Sequence, residues 1–137
     1  MDTHEKQEIS ELLAKSAYAL DHKDVDTLMG CFAVDASFTL VIDGVEEVSV
    51  FSGQEEIRGL MQGALDVQTD LRRHVISNLF FTDVQGDQAT ATTYLTLNAT
   101  ENGLTRLITT GLYTDKVSKS DDGWKIKDRH LKLDRPY

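Results

Sequence analysis

The sequence predicts an α+β fold, a cone-shaped α+β barrel in which N-terminal helices pack on a curved, mostly antiparallel sheet. Two observations predict it. Apolar residues recur at helical spacing through the first half of the chain. The texture then changes to four long β-type runs separated by short turn motifs. Helices followed by an antiparallel meander are the α+β pattern. Strands this long must twist and curve, so helices on the concave face would close a cone with a pocket inside it.

From about Thr3 to His22, Ile9, Leu12, Leu13, Ser16, Ala17 and Leu20 fall at helical spacing, with Thr3 as the expected N-cap. Asp24 is placed to cap a second helix whose apolar face is Val25, Leu28, Met29 and Phe32. "DASFTLVID" reads as a strand, Asp43-Gly44 as a turn, and "EEVSVF" as a second short strand. Ser52-Gly53-Gln54-Glu55 has capping-box spacing and starts a third helix through Ile57, Leu60, Met61 and Ala64. The four later runs are Leu71–Val84, Gln88–Thr100, Leu104–Ser118 and Gly123–Leu133. "QGDQ", "ENG" and "SDDG" supply the turns between them.

The chain has 137 residues, a length that suits one domain, 1–137, with a real core. Its formal net charge of −9 argues against nucleic acid or an anionic membrane as partner, since both would repel it. No apolar run has the length of a membrane span, and "MDTHEKQEIS" lacks the apolar core of a signal peptide. Cys31 is the single cysteine, so no internal disulfide is possible, and no Cys/His cluster suggests a metal site. A reducing cytoplasm is the expected compartment.

Two polar residues fall where apolar ones are expected. Asp21 lies one turn after Ala17 and two after Leu13, at the edge of the first helix's apolar face. It either reaches water at the rim or is buried against a partner, because an unpaired buried carboxylate is costly. Strand alternation puts His74 on one face with Arg72, Ile76, Asn78 and Phe80, and puts Val75, Leu79 and Phe81 on the other. A lone strand histidine is as a rule structural. If Asp21 accepted a hydrogen bond from one ring nitrogen, the other would become an acceptor facing the cavity and a competent general base. Tyr113, Arg129, Asn78, Asn98, Phe38 and Tyr94 are candidates to line the same space and hold a substrate. Arg129 shares a face with Leu131 and Leu133 and needs an anion there, from a structural ion pair, from Asp21 or from substrate oxygen. Asn78 and Asn98 could equally satisfy backbone at a bulge.

"YALDHKDVDTLMGCFAVDASF", "RRHVISNLFF" and "GLYTDKVSKSDDGWKIKDRHLKLD" resemble the signatures of SnoaL-like proteins in the nuclear transport factor 2-like superfamily. The resemblance spans nearly the whole chain. It implies a cone-shaped α+β barrel with an interior pocket, usually a homodimer or homotrimer. Scytalone dehydratase and hexachlorocyclohexane dehydrochlorinase are two members it resembles. In both, an Asp late in the first helix orients a strand His that removes a proton during elimination, and Asp21 and His74 match those positions. The surrounding groups differ. Leu20 stands where the dehydratase has tyrosine, the Tyr94–Asn98 strand holds no second histidine, and Ser16 stands near the place of the dehydrochlorinase's lysine. Polyketide cyclases, ketosteroid isomerases and dioxygenase small subunits share the same fold.

The leading expectation is a cofactor-independent lyase or isomerase. It would abstract a proton from a small cyclic or polyketide-like substrate in an apolar pocket, with His74 as base and Asp21 as its orienter. The rival is a non-catalytic binding or accessory domain. A carboxylate base such as Asp43 or Glu47 is a third possibility, although both sit near a turn. An apolar convex strand face including Val75, Leu79 and Phe81 would suit a homodimer or homotrimer.

Overall fold

The computed structural model describes all residues, Met1–Tyr137. Three helices, α1 (Thr3–Asp21), α2 (Val25–Gly30) and α3 (Gly53–Val67), pack on six strands: β1 (Phe32–Ile42), β2 (Ser49–Ser52), β3 (Leu71–Gln85), β4 (Gln88–Glu101), β5 (Leu104–Ser120) and β6 (Gly123–Leu133). The sheet order is β2-β1-β6-β5-β4-β3. Only the β1–β6 pair is parallel, because the last strand of the meander returns beside the first strand of the chain. The sheet is open, with β2 and β3 at its edges. The helices close the concave side: α1 packs on β3 and β6, and α3 on β1 and β2.

The helix starts follow from local hydrogen bonding. α1 is capped by Asp2, not by Thr3 as expected. The Asp2 carboxylate accepts from the Glu5 N–H at 2.8 Å, and the Asp2 N–H donates to Glu5 Oε2 at 3.3 Å. This reciprocal box needs an acid three residues on, and the residue three after Thr3 is Lys6. α2 begins as expected, with the Thr27 N–H donating to Asp24 at 3.1 Å. At α3 the Ser52 hydroxyl makes no cap bond. The chain enters through Gly53 at φ +82°, and Glu56 rather than Glu55 reaches back to the Ser52 N–H at 3.2 Å.

The core sits between helices and sheet. Ile9, Leu13, Ile57 and Met61 meet Leu95, Leu97, Ile126 and Leu133, all buried. Each such side chain contributes roughly 1.5–3 kcal/mol. In β4 the odd-numbered residues Ala89 to Ala99 are buried and face this core, while Tyr94 on the opposite parity is exposed.

β3 breaks the alternation that its sequence suggests. A bulge lies between Ser77 and Phe80, with Asn78 at φ +60°. One extra residue shifts a period of two by one place, so every side chain beyond it changes face. Arg72 and His74 point inward, as expected, and Ile76 packs on the core with them. Past the bulge, Leu79 and Phe81 pack on the core, while Asn78 and Phe80 are exposed. This corrects the expected faces of all four. Asn78 therefore serves the bulge and does not contact the cavity. Replacing it with valine forces a β-branched residue into the left-handed region. We expect Asn78→Val to lose about 1–2 kcal/mol in urea denaturation, whereas Asn78→Gly should keep the wild-type midpoint.

Candidate active site

Asp21 is the last residue of α1, and α1 packs against β3. β3 is an edge strand, so amides on its outer side lack a neighbouring strand. The Asp21 carboxylate fills that gap at His74: both of its oxygens accept from the His74 main-chain N–H at 3.1 Å. Oδ1 also lies 2.6 Å from His74 Nδ1. The two side chains are 8% and 11% exposed, so the pair is largely screened from water. A carboxylate can only accept here, so Nδ1 carries a proton, and in the neutral ring the Nε2 lone pair is free. No protein group donates to Nε2.

His74 stands in the wall of a cavity of about 80 Å³ between the helices and the concave sheet face. Thirteen of its 17 lining residues are hydrophobic, so each polar group in the wall stands out against an apolar background. Phe38, Tyr113 and Arg129 line it, as the sequence suggested, and so does Arg72, which the sequence reading left unassigned. Tyr94 does not line it: it is 55% exposed on the outer face of β4. Asn98 has the same parity as Tyr94 and also faces away from the cavity. Asp43 and Glu47 are exposed outside it.

Arg129 pairs with neither Asp21 nor open solvent. Asp115, directly opposite it in the β5–β6 register, takes Nε at 2.8 Å and Nη2 at 3.0 Å. Asp115 is fully buried and Arg129 nearly so. Burial alone would weaken the guanidinium's hold on its proton, but the charge and hydrogen bonds of Asp115 outweigh it and raise the pKa. The guanidinium carbon lies 4.2 Å from the centre of the Tyr113 ring, a cation–π distance. Nη1 makes no hydrogen bond. Tyr113 is buried, and its hydroxyl likewise has no protein partner. Burial pushes the phenol's pKa up, reinforced by Asp115 and Asp21 and opposed by Arg129, so it stays a donor at neutral pH. The structural ion pair that the sequence allowed for Arg129 is thus the one formed, but Asp115 was not named as its partner, because only the strand register reveals it.

The exposed His22 ring stacks on Tyr18, and His4 and His130 are also exposed. No group of three or more His, Cys, Asp or Glu side chains is gathered closely enough to hold a metal ion. No helix is long and apolar enough to cross a membrane.

The chain is thus an open α+β cone with an acid–imidazole pair on the wall of its inner cavity. Residues 1–130 match the SnoaL-like domain, and the chain belongs to that family. Similar solved structures include a protein of unknown function with a cystatin-like fold from Nostoc punctiforme. It is 27% identical at a TM-score of 0.81, over 98% of this chain and 94% of that one. A Mycobacterium tuberculosis protein of unknown function is 26% identical at 0.81, over 96% and 73%. A chain from Novosphingobium aromaticivorans, assigned as the β subunit of an aromatic-ring-hydroxylating dioxygenase, is 20% identical at 0.82, over 96% and 90%, and shares the fold. No curated protein matches the sequence.

Removing one member of a buried ion pair strands the other charge, at a cost of about 3–5 kcal/mol. Asp115→Ala should therefore lose stability on that scale in chemical denaturation, far more than an exposed acid-to-alanine change. The raised Tyr113 pKa gives a second test. Above the unfolded-state value near 10, the unfolded chain releases the phenolic proton while the folded chain retains it. Stability then falls as pH rises. Tyr113→Phe should flatten this alkaline loss, measured as the melting temperature between neutral pH and the onset of alkaline unfolding.

Proposed function

We propose that the protein is a lyase- or isomerase-type enzyme that removes a proton from a small cyclic or polyketide-like substrate held in the apolar cavity. One observation carries the reading: the 2.6 Å contact between Asp21 and His74 Nδ1, made where His74 lines that cavity. With Nδ1 committed to Asp21, Nε2 takes a proton from a carbon next to a carbonyl. The electron pair moves onto the carbonyl oxygen. The Tyr113 hydroxyl and Arg129 Nη1 donate to that oxygen as its charge develops, and Asp21 stabilises the imidazolium. Returning the proton to a β-hydroxyl expels water, a dehydration; returning it to another carbon is an isomerisation. The reaction as written uses no cofactor. Catalysis of this kind suits a single SnoaL-like domain over 1–137 working in the cytoplasm.

We further propose a homodimer or homotrimer. With the bulge taken into account, the exposed apolar side chains of the outer sheet face include Val75, Phe80, Tyr94 and Leu107. A second copy is the partner that such a face suits.

A rival reading, a non-catalytic binding or accessory domain, draws support from the cavity's size. About 80 Å³ is well below the roughly 300–1,000 Å³ of most small-molecule pockets. The fold shared with the chain assigned as a dioxygenase β subunit points the same way. Deuterium exchange separates the two readings. Small cyclic ketones incubated in D2O with the wild type should gain deuterium beside the carbonyl, followed by NMR. His74→Ala and Asp21→Asn should slow this by at least about 100-fold while circular dichroism shows the fold retained. Exchange at the wild-type rate in His74→Ala would remove the base. No exchange in the wild type, with both variants merely less stable, is the result the accessory reading expects.

A further inference from the structure

Arg72 lies two residues before His74 on the same inward side of β3, about 6.6 Å along the strand. It is placed where few arginines are found, in the wall of a mostly apolar cavity with its side chain only 13% exposed. Asp70 holds it there, accepting from Nε at 2.9 Å and from Nη2 at 3.5 Å. Nη1 makes no hydrogen bond. It also reaches open space, unlike the indole Nε1 of Trp124, the one sealed and unpartnered side-chain nitrogen in the protein.

A second depression adjoins the cavity at this point. It is a surface groove of about 480 Å³, and the two spaces share Leu60, Ala64, Gln68, Arg72 and Tyr137 in their walls. The inner space alone is too small for most ligands, while the groove is in the ordinary range. Arg72 and Gln68 stand at the junction. The Gln68 side-chain amide makes no hydrogen bond. Lys23 brings a further cation to this edge, its ammonium 3.0 Å from the Gln68 carbonyl oxygen. Donors therefore gather at the junction, while the inner cavity is walled largely by hydrocarbon.

We propose that Arg72 is a specificity-determining residue that binds an oxygen-bearing tail of the substrate at the junction while the substrate's ring fills the inner cavity against His74. This rests on the reading of the cavity as the substrate site and adds what that substrate is: a compact apolar ring with a short arm ending in a carboxylate or carbonyl. Asp70 fixes the guanidinium before binding, so little side-chain entropy is lost when the tail arrives. The same placement explains how a cavity of about 80 Å³ can serve a larger molecule, since only the reacting ring has to enter it.

The test compares three probes by chemical-shift titration: cyclohexanone carrying an acetate arm, the matching acetamide, and the matching ethyl compound. The expected result is that at least one oxygen-bearing arm binds about tenfold more tightly than ethyl. That gain should vanish in Arg72→Leu, while the ethyl compound binds Arg72→Leu as well as it binds the wild type. A gain for acetate alone assigns an anionic tail, and equal gains assign a neutral acceptor; both support the proposal. The double variant Asp70→Asn/Arg72→Leu avoids stranding Asp70 and replaces Arg72→Leu if that variant does not fold. Oxygen-bearing arms that bind no tighter than ethyl, or a gain that survives the loss of Arg72, would overturn it. Repeating the titration in His74→Ala separates the two ideas: the tail gain should persist there whether or not His74 proves to be the base.

Discussion

The structure of the site depends on one carboxylate placed between a helix end and a sheet edge. Asp21 and His74 are 53 residues apart in sequence, and three hydrogen-bond contacts bring them together. The end of a helix is a poor place for a negative charge, because its carbonyls already carry partial negative charge. The edge of a sheet is a poor place for an N–H without a strand beside it. Each element supplies what the other lacks. The bond therefore fixes where α1 ends against β3, and it sets the imidazole tautomer without any further group.

The second buried charge pair works differently. Arg129 and Asp115 belong to neighbouring strands and face each other because the ladder makes them do so. The pair keeps a cation in the apolar interior, where an unpaired guanidinium would be costly. It also stacks that cation on Tyr113. Two of the guanidinium nitrogens are used on Asp115, and the third is left over. The result is a rigid donor set, Arg129 Nη1 and the Tyr113 hydroxyl, held by the sheet before any ligand arrives. Rigidity of this kind is what electrostatic stabilisation requires, since donors that must first reorient lose much of their effect.

How far the sequence reveals this can be judged residue by residue. The order of elements was legible because periodicity changes from helical to strand-like near Leu71, and the Asp–Gly, Asn–Gly and Gly motifs mark each turn. Asp21 and His74 were legible because a helical phase and a strand alternation each put a polar group on a buried face. Of the two readings the sequence offered for Asn78, the bulge holds and the cavity face does not, for the opposite reason. A bulge is a single insertion in the alternation, and nothing in "HVISNLFF" announces it except an asparagine, a residue that tolerates positive φ. Tyr94 and Asn98 were misjudged because β4 carries plausible residues on both faces. Only its partners decide that Leu95 and Leu97 point inward. Asp115 and Arg72 needed the register and the cavity, which local pattern does not contain.

An unpartnered polar atom is weak evidence of function by itself, and Trp124 shows why. Its indole nitrogen is buried with no acceptor, yet Trp124 is a core side chain and is not among the residues lining the His74 cavity. The protein tolerates that loss for the packing that the ring provides. His74 Nε2, the Tyr113 hydroxyl and Arg129 Nη1 are also without protein partners, but their side chains line one cavity. They come from β3, β5 and β6, so no single element's geometry accounts for all three. Each is a different kind of group: a lone pair able to take a proton, a phenol held protonated by burial, and a guanidinium held charged by Asp115. Packing alone gives no reason for an acceptor and two donors to be left open around one apolar space. A substrate oxygen beside an acidic C–H would use all three.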